Sequence, residues 1–65
     1  MNDIDQARLT HAGNRLGKAR LKLAELMAEA QRIALDAIGS GATESEVARL
    51  LGVDRMTVRK WQGKR

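Results

Sequence analysis

The chain has no cysteine, no proline, no phenylalanine and no tyrosine, and only one tryptophan and one histidine in 65 residues. Without cysteine there is neither a disulfide nor a thiolate zinc site to hold so small a domain together. A lone histidine, His11, with no cysteine and no carboxylate cluster beside it, makes neither a zinc site nor a catalytic dyad. Ser40 and Ser45 have no recognisable base, and glycine-rich phosphate motifs are missing, so an enzyme is not expected and no cofactor is called for. With Trp61 as the single aromatic residue, a base-stacking surface of the kind that binds single-stranded RNA is disfavoured. No apolar run approaches membrane-spanning length, and the acidic, polar start "MNDIDQ" does not read as a signal peptide. The expected location is the cytoplasm, on the nucleoid.

What is present is helix-forming sequence. Ala, Leu, Arg, Lys, Glu and Met are abundant and the absence of proline removes the strongest helix breaker. The net charge is +4, and it is unevenly spread. Residues 1–41 carry six basic and five acidic side chains (+1), while residues 42–65 carry six basic and three acidic (+3). A basic C-terminal segment suits a polyanionic partner.

The pattern predicts an all-α chain of three helices. A long first helix runs from about Asp3 to Ile38 and stops at "GSGA", where Gly39 is the expected left-handed cap. Gly13 and Gly17 are its weak place, and a break at Gly13-Asn14 is the alternative to a continuous rod. A second helix opens at Thr43, with Glu46 three residues on to complete a capping box, and ends at Leu51 before Gly52. A third, capped by Asp54, runs to about Gln62. The chain thus divides into residues 1–38, a dimerisation helix, and residues 39–65, a compact helical unit with a basic tail.

In "EVARLLGVDRMTVRKW", residues 46–61, Val47, Ala48, Leu51, Val53, Val58 and Trp61 fall where two crossed helices would share a core. Ala48, Gly52 four residues later and Val58 six after that match the DNA-binding helix-turn-helix, and "GVDRMTVRKW" resembles the recognition segment of resolvase, invertase and transposase DNA-binding domains and of small phage or plasmid regulators. The resemblance covers about residues 30–62. It implies that the third helix enters the major groove with Arg55, Met56 and Lys60 at base edges. Arg55 or Lys60 would read guanine O6/N7; Met56, where the motif usually has a small polar residue, would pack on a thymine methyl. The backbone contacts it implies are Thr43 and Ser45 at the start of the second helix, Thr57 and Arg59 in the third, and Lys64 and Arg65 in the tail. Glu44 would oppose a phosphate beside Thr43 and Ser45.

The long helix carries a heptad seam: a positions 9, 16, 23, 30 and 37, and d positions 12, 19, 26 and 33. Its side chains, Leu9, Ala12, Leu16, Ala19, Leu23, Leu26, Ala30 and Ile33, with Ala37, form a stripe about 40 Å long that two short helices cannot cover. A second copy is the expected cover. The g positions, Arg8, Arg15, Lys22, Glu29 and Asp36, run from basic to acidic. A parallel pair sets Arg15 against Arg20, whereas an antiparallel pair sets Arg8 against Asp36 and Arg15 against Glu29, stacking Leu9 on Ile33 and Leu16 on Leu26. Antiparallel pairing is therefore expected. In "IALDAI", residues 33–38, Ile33 and Ala37 are assigned to the seam, and Ala34, Leu35 and Ile38 to packing on the other two helices, so that the stretch is buried all round.

The leading expectation is a homodimeric, sequence-specific double-stranded DNA-binding regulator or recombination accessory factor that reads an inverted repeat. A protein-interaction module, docking the long helix on a larger partner, is the competing class.

Overall fold

A computed structural model describes residues 1–64. Three helices account for the described fold, with no strand among these residues: α1 (Asp3–Gly39), α2 (Glu44–Leu51) and α3 (Arg55–Trp61). A compact chain of this length has a radius of gyration of about 11 Å. This one has 17.6 Å and extents of 57 × 19 × 18 Å. The long axis is α1, since 37 residues at about 1.5 Å each give on the order of 55 Å.

α1 is continuous through Gly13 and Gly17, so the alternative of a break and a doubled-back helix does not occur. Each glycine costs about 1 kcal/mol against alanine, but Arg15 and Leu16 between them and the Lys18–Leu26 run beyond are strong helix formers. The start is fixed by Asn2, whose Oδ1 accepts the Asp5 N–H at 2.7 Å, and Asp3 and Asp5 complement the positive end of the helix dipole. At the other end the expected left-handed Gly39 is still helical; the positive φ falls on Gly41, at 108°. Ser40 N–H first shares the carbonyls of Asp36 and Ala37, which carries the helix one residue further before the chain turns.

α2 and α3 begin as the sequence predicts. Thr43 Oγ1 accepts the Glu46 N–H at 3.1 Å, and Glu46 Oε1 accepts the Thr43 N–H at 3.1 Å, the reciprocal capping box. Gly52 ends α2 at φ 73° and ψ 28°, and the Ala48 carbonyl accepts both the Gly52 and Val53 N–H groups. Asp54 caps α3, which closes one residue early, at Trp61, with Gln62 as its cap.

The core is small. Ala34 of α1, Val47 and Ala48 of α2 and Val58 of α3 are buried, with Ala37, Ile38, Ala42, Val53 and Trp61 packed around them. Three sequence assignments are corrected here. Leu35, at 37% exposure, lies outside the core cluster, which α1 meets with the i, i+3, i+4 set Ala34, Ala37 and Ile38. For the same reason residues 33–38 are not buried all round: Ile33 is 53% exposed and Ala37, assigned to the seam, also leans on the core. Leu51, assigned to the core, is also exposed.

Along α1 before Ala30 only Gly17 is other than exposed. Leu9, Leu16, Leu23 and Ile33 stay 53–60% exposed, as one apolar line down a bare helix. Two buried valines and two alanines are a thin anchor for 37 helical residues, since a fully buried valine contributes only about 1.5–3 kcal/mol.

Candidate nucleic-acid interface

α3 is short, and its orientation follows from two residues three apart. Val58 is fully buried, at 0% exposure, and Trp61 is half-buried against the core. With about 3.6 residues per turn, that leaves Met56 and Lys60 on the opposite arc, while Arg55, one turn before Val58, is open because it begins the helix; all three are exposed. Met56 and Lys60, four apart, stack on the outward face, and Arg55 stands at the leading turn. Trp61 belongs to the core side and is not presented as a stacking platform.

The cap of α3 holds the leading turn rigid. Asp54 Oδ1 accepts both the backbone N–H of Thr57, at 2.8 Å, and its hydroxyl, at 2.9 Å. Thr57 is half-buried, and its hydroxyl points back to Asp54, so any phosphate it met would have to share that oxygen. The hydroxyl of Thr43 is committed in the same manner, donating to Glu46 Oε1 at 2.9 Å, while Ser45 is exposed.

Arg59 is placed differently from the other cations. Its Nη1 lies 3.7 Å from Glu44 Oε1 at the start of α2, and both side chains are partly covered. The pair ties α3 to α2 and neutralises Glu44, the residue expected to repel a phosphate there. Fifteen positions separate the two, so no local spacing signals the contact. Among the described residues it is the sole ion pair, which leaves Arg55, Lys60 and Lys64 as unpaired positive charges on this side of the molecule. Arg65, the last of the expected backbone contacts, lies outside the described residues.

Two carboxylates carry the caps, and both titrate low. The Thr43 N–H, then the Thr43 hydroxyl, hold the Glu46 carboxyl below its ordinary 4.5, and the Thr57 N–H, then the Thr57 hydroxyl, hold Asp54 below 3.8. A depressed folded-state value means the stabilisation is complete above those ordinary values and is lost as pH falls through the lowered ones. Acid titration followed by circular dichroism is therefore expected to show α2 and α3 loosening below the ordinary carboxylate range. Asp54→Asn, which caps without titrating, should remove the contribution of α3 from that curve.

No His, Cys, Asp or Glu group among the described residues is arranged to hold a metal ion, and no helix is long and apolar enough to cross a membrane. Comparison with protein-family models, with curated proteins and with solved structures finds no match to this chain.

Proposed function

We propose that this chain is a small sequence-specific double-stranded DNA-binding protein, a transcriptional regulator or recombination accessory factor, that works as an antiparallel homodimer on an inverted repeat. α2, the Gly52 turn and α3 act as a helix-turn-helix with α3 in the major groove. The observation that carries this reading is the burial of Val58 beside Trp61, which leaves Met56 and Lys60 on the solvent face of α3 and Arg55 exposed at its leading end. Arg55, Met56 and Lys60 read base edges. Thr43, Ser45, Thr57, Arg59 and Lys64 hold the backbone, Arg59 by exchanging Glu44 for a phosphate or bridging the two.

The dimer follows from the uncovered line of Leu9, Leu16, Leu23, Leu26 and Ile33. In the antiparallel register that stacks Leu9 on Ile33, paired positions sum to 42 and the twofold axis passes residue 21. Ala34, the buried foot of the α2–α3 unit, is an e position, and e positions of an antiparallel pair lie on one side of the rod. Both reading heads therefore face the same way. The two Ala34 positions are separated by 26 helical residues, on the order of 39 Å, close to the ~34 Å between major-groove faces one turn apart.

The test is selection of a preferred duplex from a random pool, followed by anisotropy titration at several salt concentrations. One duplex, an inverted repeat, should be preferred over random competitor by at least about 10³-fold, with affinity falling steeply with salt. Equal affinity for all duplexes, or for isolated half-sites, would overturn the reading. The same bare stripe also favours a second reading, an adaptor whose α1 docks on a different protein; that reading requires the pure chain to remain monomeric.

A further inference from the structure

An apolar groove of about 130 Å³ opens between the end of α1 and α2, lined by Ile33, Ala34, Ala37, Val47, Leu50 and Leu51. Leu50 is 76% exposed at its rim, the largest exposure of any leucine here. Nothing in the proposed DNA contacts uses it: Leu50 is on α2, and Arg55, Met56 and Lys60 are on α3. It also holds the residue misassigned to the core, Leu51.

We infer that this groove is the socket for Leu9 of a second copy of the chain, so that the partner's α1 clamps α2 as well as α1. The inference rests on the antiparallel dimer proposed above and specifies what completes it. Ile33 is at once a seam residue and a wall of the groove, so a helix laid along the seam is carried against α2. In the register where positions sum to 42, the side chain brought to Ile33 is Leu9 of the second copy. Its neighbours there are Ala34 and Ala37, which are small enough to leave a hole. A dry apolar cavity of about 150 Å³ accepts one benzene ring, so 130 Å³ suits a single leucine side chain and not a whole helix.

Charge selects the occupant. The last turn of α1 carries no basic residue, and Asp36 has no ion-pair partner in its own chain among the described residues. In this register Arg8 of the second copy, next to Leu9, faces Asp36, and Arg15 faces Glu29. Antiparallel pairing also sets the two helix dipoles in opposition, while Asp3 and Asp5 come beside the C-terminal end of the other helix as a small like-charge cost. The consequence for function is geometric. Each reading head is gripped by both rods, so the separation of the two α3 helices is set by dimerisation itself.

The absence of native cysteine makes the test clean. Full-length chain carrying Leu9→Cys is mixed with full-length chain carrying Leu50→Cys and oxidised. A disulfide between the two variants should dominate over either self-link. In parallel, Leu50→Asp should raise the dimer dissociation constant about tenfold or more, while Leu21→Asp, exposed but off the seam at an f position, should leave it within about twofold. A wild-type dimer that Leu16→Asp dissociates, but that gives no 9–50 link and is indifferent to Leu50→Asp, overturns the socket and leaves the dimer standing. A 9–9 self-link overturns the antiparallel register and the socket with it. A wild-type chain that stays monomeric at every concentration overturns both.

Discussion

Leu16→Asp is expected to turn the protein into a monomer and to strip the inverted repeat of most of its affinity. Leu16 is 54% exposed in the single chain, so the substitution removes no intrachain packing and the α2–α3 unit should fold as before. In the proposed dimer the same side chain lies against Leu26 of the second copy, where a carboxylate would be desolvated without a partner. Two such sites, related by the twofold axis, are lost together. Binding through two linked heads exceeds binding through one by about 10²–10⁴-fold, and that factor should disappear on an intact inverted repeat while affinity for an isolated half-site is unchanged. Helix content should also fall, because an uncovered α1 has only its own propensity to hold it. Sedimentation, circular dichroism and anisotropy on the two duplexes read all three effects. An unchanged dimer mass would place the interface elsewhere than on the heptad stripe.

Arg55→Ala is expected to relax base preference at one symmetric pair of operator positions by about 1–3 kcal/mol per contact, roughly 5–150-fold. Arg55 is exposed, makes no ion pair among the described residues, and follows the Asp54 cap directly, so its removal should not change folding stability by more than about 0.5 kcal/mol. Discrimination should fall because a guanidinium that donates two hydrogen bonds to guanine O6 and N7 leaves those acceptors unserved when it is gone. Lys64→Ala is the contrasting variant. A lysine that meets only phosphate weakens every duplex alike and reduces the salt slope by about 1. The measurement is the ratio of affinities for the operator and for single-base variants of it, at fixed salt. If Arg55→Ala weakens all of them by one factor, Arg55 is a phosphate contact and base reading passes to Lys60 and Met56.

The proposed division of labour among the cations depends on the Glu44–Arg59 pair, which no pattern in the chain announced. By sequence alone, Glu44 is only a repulsive charge beside Thr43 and Ser45. The fold brings Arg59 to 3.7 Å from it and offsets that repulsion while the pair holds. Partly covered ion pairs of this kind contribute modestly to stability, so the effect lies more in local potential than in folding energy.

Much of α1, α2 and α3 was legible because helix ends are written locally. Asn2 was not singled out as a cap, but Thr43 with Glu46, Gly52 and Asp54 each satisfy backbone groups three or four residues away, and the structure places each where that spacing requires. The misses were of two kinds. At Gly39 and Gly41 two glycines compete for one turn, and sequence alone does not rank them. At Leu35 and Leu51 the error was in burial: apolar identity says that a side chain gains from being covered, not which neighbour covers it.

The chain by itself determined that there are three helices, where α2 begins and stops and where α3 begins, and that an apolar heptad line runs down the first, because these follow from bonds and periods within a few residues. Only the tertiary structure decided that Ala37 rather than Leu35 joins Ala34 and Ile38 in meeting the core, that Arg59 is tied to Glu44 across α2 and α3, and that Leu50 and Leu51 border an open groove beside Ile33. Those depend on how helices cross. A crossing is settled by the few small residues that let backbones approach, here Ala34 and Ala48, which lie far apart in the chain and share one core in the fold.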